Sequence, residues 1–151
     1  MNSVTPDLDE STIELGAQLG ASVGLLLVMV LIHTFGLLLI SNMLNLGSEN
    51  LKEKDFNARS VGLLAAMGLL IFLLHILEIF VFAGFYMMVG AIETLEEALY
   101  FSASAYATLG TPADYFPQDW RLVGAIEALI GFILIGWSTA FMVKTINRLQ
   151  D

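Results

Sequence analysis

The chain has 151 residues, of which 57% are hydrophobic and 14% are charged. The formal net charge of −9 and the lack of a basic patch exclude nucleic acid as a partner, and the absence of cysteine excludes disulfides and thiolate metal sites. Because one membrane span needs ~20 apolar residues, three long apolar runs account for most of the chain. We therefore expect an all-α integral membrane protein with no soluble catalytic domain.

The first part of the chain is predicted to be a polar tail, a long span and a polar linker. Residues 1–14 carry four acids and no Lys or Arg, the opposite of the basic start of a signal peptide. They are interpreted as an extracytoplasmic tail. Residues 15–46 are the first predicted transmembrane helix, and residues 47–60, which mix acids with basic residues, are the predicted cytoplasmic linker.

Two further spans are predicted in the remainder of the chain. Residues 61–92 form the second, outer helix, and residues 120–144 form the third, inner helix. Trp120 and Trp137 lie ~25 Å apart along a helix, which suits one tryptophan near each membrane interface. Residues 145–151 are the predicted cytoplasmic tail.

The segment between the second and third spans is too short and too polar to cross a membrane. Thr94 followed by Glu97 is typical of a capping box, which starts a helix within residues 93–107. Such a helix is only ~20 Å long, against a hydrocarbon core of ~30 Å. We expect it to enter the membrane and to turn back through residues 108–119. Carbonyl groups freed at such a turn suit a dehydrated cation.

The order and spacing of motifs from the second to the third predicted span resemble those of a known family. Residues 98–110 look like a pore helix and filter, His75 and Glu78 form an H-x-x-E pair before them, and residues 136–140 read G-W-S-T-A after them. The chain from about residue 71 to 149 resembles the tetrameric P-loop cation channels, especially small bacterial potassium-channel-like proteins with an additional first helix. The resemblance implies a potassium-channel-like pore in the cell (inner) membrane, a homotetramer in the lipid bilayer, permeant K⁺ or Na⁺, no other cofactor and no enzymatic activity.

The filter departs from the family's pattern, which is T-V-G-Y-G followed by Asp. The resemblance assigns the filter to Thr108, Leu109, Gly110 and Thr111, with the monovalent cation at the first three, and the outer mouth to Pro112 and Asp114. Proline has a fixed φ and no N–H, so it cannot replace the second glycine. We therefore expect the inner coordination to persist, the outer rings to open, and selectivity for potassium to weaken.

Orientation follows from the basic residues, because cytoplasmic segments carry an excess of Lys and Arg. The linker contains three, the C-terminal end adds Lys144 and Arg148, and the opposite side has only Arg121. The linker and C terminus are predicted to be cytoplasmic, with the N terminus outside.

Ionisable residues inside the spans are functional candidates because their burial is costly. The favoured interpretation is a hydrogen-bonded structural cluster behind the pore helix, with a proton-sensitive gate as the alternative because histidine ordinarily titrates near pH ~6.5. A metal site ranks third, since sequence alone shows no convergent geometry. The four members are His33, His75, Glu78 and Glu127, and the expected contacts are Ser102, Ser104 and Tyr106.

Glycines in the third span have two interpretations. They either allow close helix packing or, at Gly131 and Gly136, provide a gating hinge. The altered filter also leaves open a second class of function, a non-conducting membrane scaffold or accessory subunit that retains the channel fold.

Overall fold

A computed structural model describes residues 8–44, 46, 58–110 and 120–150. Within these ranges the regular structure is helical, without a strand, which confirms the predicted all-α class. Residues 1–7 of the predicted tail, residues 47–57 of the linker, the filter residue Thr111, and the mouth residues Pro112 and Asp114 lie outside the described residues. The helices are α1 (Leu8–Met43), α2 (Ala58–Met88), α3 (Leu95–Tyr106) and α4 (Arg121–Gln150).

Three of the four helices are long and apolar enough to cross a membrane, as predicted. The candidate spans are Leu15–Met43 in α1, Ser60–Met88 in α2 and Arg121–Arg148 in α4. Each has 28 or 29 residues, more than the ~20 that a bilayer requires. Helix α1 begins within the stretch predicted as a tail, and α4 continues through the predicted tail to Gln150. Helical structure therefore extends beyond the apolar segments.

The three long helices alternate in direction. The Gln18 side chain, early in α1, accepts a hydrogen bond from the Leu122 N–H at the start of α4 at 3.0 Å. Farther along both helices, His33 contacts Ser138, so α1 and α4 run parallel. The ring of Phe85, near the end of α2, stacks edge-on against that of Trp120 with centroids 5.4 Å apart. Helix α2 therefore runs antiparallel to α4.

Helix α3 follows α2 closely and starts at the residue that the sequence predicts. Helix α2 ends at Met88, and Gly90, just beyond it, has a φ of 70°. The Ala91 N–H bonds the Tyr86 carbonyl and the Gly90 N–H bonds the Met87 carbonyl, which together form a Schellman cap. Thr94 is the N-cap of α3, and its hydroxyl oxygen accepts the Glu97 N–H at 3.3 Å. The Glu97 carboxylate contacts the Thr94 hydroxyl at 3.0 Å.

Helix α3 ends in the same type of cap, but with a threonine where α2 uses glycine. The Leu109 N–H bonds the Ser104 carbonyl at 2.9 Å and the Thr108 N–H bonds the Ala105 carbonyl at 2.8 Å. Thr108 has a φ of 58° and Gly110 a φ of 77°. A positive φ is an outlier for a β-branched residue, and such outliers are concentrated at functional sites.

Helix α3 packs against the three long helices through a shared apolar core. The larger cluster of buried apolar residues joins all four helices, with Met29 from α1, Phe82 from α2, Phe101 from α3 and Leu134 from α4. At most 28% of each spanning window is buried within the chain. The remaining apolar surface needs a nonpolar surrounding, which a bilayer supplies.

Candidate functional site

The C-terminal end of α3 lies against two spanning helices, within about one turn of the middle of each. Its last residue, Tyr106, contacts Glu78 in the span Ser60–Met88 through the phenol hydroxyl. The Tyr106 backbone packs against Gly131 in the span Arg121–Arg148. Gly131 permits this approach, because a Cβ there would stand 2.3 Å from the Tyr106 carbonyl oxygen.

Glu78 is fully buried and accepts hydrogen bonds from three helices. Its Oε1 lies 2.9 Å from His33 Nδ1, and its Oε2 lies 2.9 Å from His75 Nδ1. The Tyr106 hydroxyl donates to Oε2 and is 2.9 Å from His75 Nδ1. A buried carboxylate is tolerated when paired and hydrogen-bonded. These contacts tie α1, α2 and α3 together at one point.

Two residues of α4 extend this cluster around His33. The Ser138 hydroxyl lies 3.4 Å from His33 Nε2, so each ring nitrogen of His33 has a partner. The Trp137 ring lies 5.5 Å from the His33 ring, between centroids. The two histidine rings are stacked with centroids 5.6 Å apart. The His33 ring is fully buried, and the His75 side chain is 16% exposed.

A second buried carboxylate, Glu127 on α4, has its own partners. The Tyr86 hydroxyl donates to Glu127 Oε2 at 2.6 Å, and the Ser102 hydroxyl donates to Oε1. Ser102 Oγ also lies 3.1 Å from the Ile79 carbonyl oxygen. Glu127 therefore joins α2, α3 and α4, and it is fully buried. Two carboxylates thus hold α3, one near the middle of the helix and one at its end.

The predicted intramembrane residues fall into two groups. His33, His75 and Glu78 lie together, whereas Glu127 bonds a different pair of hydroxyls. Of the expected contacts, Ser102 and Tyr106 reach the carboxylates, while Ser104 takes part through its backbone carbonyl in the cap of α3.

Three polar partners were missed by sequence reasoning: Gln18, Tyr86 and Ser138. A signal existed for Tyr86, because a buried phenol hydroxyl usually finds a partner. Gln18 and Ser138 sit in helices whose pairing is not evident from sequence.

The described part of the chain contains one group whose donor atoms converge as metal ligands do. Ligand atoms of His33, His75 and Glu78 lie within 4.8 Å of one another. The structure thus brings together ligand atoms whose proximity could not be inferred from the sequence.

The predicted inner filter residues follow directly from the end of α3. Thr108, Leu109 and Gly110 are exposed in the single chain, and the Leu109 side chain is 79% exposed despite being apolar. Gly131 packs tightly against Tyr106, whereas a Cβ at Gly136 would meet nothing within 4 Å. The hinge interpretation of either glycine stays a prediction.

No protein-family model, curated protein or solved structure matches the chain. The site is therefore interpreted from the chemistry of its own residues.

Proposed function

We propose that this chain is the pore-forming subunit of a homotetrameric, potassium-channel-like channel that conducts monovalent cations passively, with weakened selectivity for potassium. In this proposal α3 is a re-entrant pore helix, and Thr108, Leu109 and Gly110 begin the ion filter. Thr111 continues the filter, and Pro112 and Asp114 form the outer mouth.

The observation that carries the proposal is the position of the end of α3. The helix starts just after α2 ends, and its last residue bonds Glu78 and packs on Gly131, each about one turn from the middle of a candidate span. A helix of 12 residues is ~18 Å long, so it reaches this depth without crossing. Backbone that leaves a helix at such a depth requires protein or water around it.

The backbone after α3 supports a role in binding cations. Thr108 and Gly110, on either side of Leu109, both have positive φ values, so the backbone of this exposed segment is neither helical nor extended. The Schellman cap uses the Thr108 and Leu109 N–H groups for the end of α3. In a pore, the carbonyl oxygens of this segment and the Thr108 hydroxyl would replace water around an ion. The negative end of the α3 dipole adds a favourable field for a cation.

One chain cannot enclose a pore with a single short helix, so the proposal requires several copies around an axis. Closed cyclic symmetry is the usual arrangement of identical subunits, and the resemblance to P-loop channels sets the number at four. Apolar side chains exposed on α4 would meet neighbouring subunits or lipid, among them Leu129, Phe132, Ile133 and Trp137.

The proposed location is the cell (inner) membrane, with the N terminus outside and the C terminus in the cytoplasm. The excess of Lys and Arg in the linker and C-terminal segment supports this orientation. The start of α3 would then face outward, with Glu96 and Glu97 in its first turn.

The proposal is tested by native mass spectrometry in detergent together with currents across planar bilayers. We expect a tetramer and, with potassium on one side and sodium on the other, a reversal potential between the values for a nonselective pore and a strictly potassium-selective one. A tetramer that never passes current would instead support the alternative, a non-conducting membrane scaffold or accessory subunit. A stable monomer would contradict the pore.

A further inference from the structure

We infer that His33, His75 and Glu78 form a binding site for a divalent transition-metal ion, with zinc the best-fitting ion, inside the membrane-spanning bundle. This site is separate from the proposed cation filter, and the inference does not depend on conduction.

The donor set is the first argument. Two imidazoles and one carboxylate are ligands that suit zinc and its neighbours in the first transition series, whereas potassium and sodium prefer oxygen donors. The Tyr106 hydroxyl, 2.9 Å from His75 Nδ1, places a fourth donor group, an oxygen, beside the same atoms. Three protein ligands plus one further oxygen is a common coordination for zinc.

The geometry is the second argument. His33 Nδ1 lies 2.9 Å from Glu78 Oε1, and His75 Nδ1 lies 2.9 Å from Oε2. One ligand atom from each of the three residues lies within 4.8 Å of the other two. Donors of a tetrahedral zinc ion with bonds of about 2.0–2.1 Å stand about 3.3 Å apart. Shifts of about 1–2 Å in these side chains would bring the donors to the tetrahedral spacing.

The surroundings of His33 are the third argument. Both donor histidines point Nδ1 at the carboxylate. Metal binding at Nδ1 requires the ring proton on Nε2, and on His33 that nitrogen faces the Ser138 hydroxyl at 3.4 Å. A hydroxyl can either donate or accept, so Ser138 serves both the metal-free ring and the metal-bound tautomer. Such an outer partner is typical of metal-binding histidines.

The three ligands come from α1 and α2, so a bound ion would join these helices directly. His33 and Glu78 are fully buried, and the His75 side chain is 16% exposed. His75 is the least buried of the three ligands, so its replacement should disturb the core least.

The test uses full-length protein purified with a tag that lacks histidine, stripped with chelator and then exposed to zinc chloride. Bound zinc is measured by elemental mass spectrometry after desalting, and affinity by competition with a zinc-binding dye. We expect one zinc per chain and an affinity for zinc that falls more than about 100-fold in His75→Gln. Such a loss exceeds the roughly 10–100-fold that follows when a residue that only hydrogen-bonds a ligand is replaced. Glu78→Gln should also lose the ion.

The matched control is Glu127→Gln, which removes the other buried carboxylate and leaves the ligand set intact. It should retain one zinc per chain. X-ray absorption of the zinc-loaded protein should show nitrogen and oxygen neighbours at about 2.0–2.2 Å and no sulfur. Equal zinc retention by the parent protein and by folded His75→Gln would overturn the inference, as would loss of zinc in Glu127→Gln to the same degree as in Glu78→Gln.

Discussion

Gly131 on α4 lies so close to Tyr106 that a Cβ on the glycine would stand 2.3 Å from the tyrosine's carbonyl oxygen. The clashing atom is the backbone carbonyl oxygen of the last residue of α3, so it cannot move aside as a flexible side chain can. The absence of a side chain at residue 131 thus sets how closely α4 approaches the end of α3.

Gly131→Ala should therefore destabilise the protein even though alanine favours helices. Overpacking of a tight contact costs about 1–3 kcal/mol, more than the ~1 kcal/mol gained in helix propensity. Thermal unfolding in detergent measures the difference. Gly136→Ala is the matched control on the same helix, because a Cβ there meets nothing within 4 Å. Equal effects of the two changes would contradict a packing role specific to Gly131.

Tyr106→Phe should loosen the end of α3 by removing one donor from the buried Glu78 carboxylate. Hydrogen bonds to charged groups contribute about 1.5–3 kcal/mol, and His33 and His75 remain to compensate in part. Tyr100→Phe, on the same helix but 67% exposed, should change stability by less than about 0.5 kcal/mol. A double-mutant cycle with Glu78→Gln should show coupling between the two residues. Simple additivity would mean that the contact contributes little.

Ser102→Ala removes the hydroxyl through which α3 bonds Glu127. Because one acceptor site of a buried carboxylate is then left without its donor, we expect a loss of about 1–3 kcal/mol. Amide hydrogen exchange of residues 95–106 should rise more than exchange in α1, since Ser102 joins α3 to α4 and α2. Uniform acceleration across all four helices would indicate a global effect and not the release of α3.

Thr108→Gly should separate stability from function. Thr108 holds the cap position that Gly90 holds at the end of α2, with φ values of 58° and 70°. A left-handed conformation costs an L-residue roughly 1–2 kcal/mol, so glycine should raise stability by about 1 kcal/mol. The reciprocal change, Gly90→Thr, should lower the stability of the protein by a similar amount, and thermal unfolding in detergent measures both effects. If the Thr108 hydroxyl binds ions as proposed, cation flux should fall in Thr108→Gly, which keeps the carbonyl, and unchanged flux would argue against a role of the hydroxyl.

Several features were predictable because they depend on local sequence. Apolar length identified three spanning helices, and the order of Thr94 and Glu97 identified the start of α3. His75 and Glu78 are three residues apart on one helix, so their contact follows from helix geometry.

Features that depend on how the helices pack were less accessible. The contact of His33 with Glu78 requires the pairing of α1 with α2 in one register, which local sequence does not determine. The division of the four ionisable residues into two groups was not predicted. Glu127 accepts a hydrogen bond from Tyr86 of α2, and the sequence does not show which side of α2 faces α4. The cap at Thr108 was missed because its usual marker is glycine.

Conduction of ions by the segment after α3 can be measured as flux into liposomes that contain the purified protein. Uptake of potassium, sodium and a large organic cation should be compared for the parent protein and Gly110→Ala. Gly110 has a φ of 77°, which alanine adopts only with strain. We expect uptake of both small cations, with potassium favoured, exclusion of the large one, and loss of uptake in the variant. Absence of flux from the folded parent protein, or full flux in Gly110→Ala, would contradict conduction by this segment.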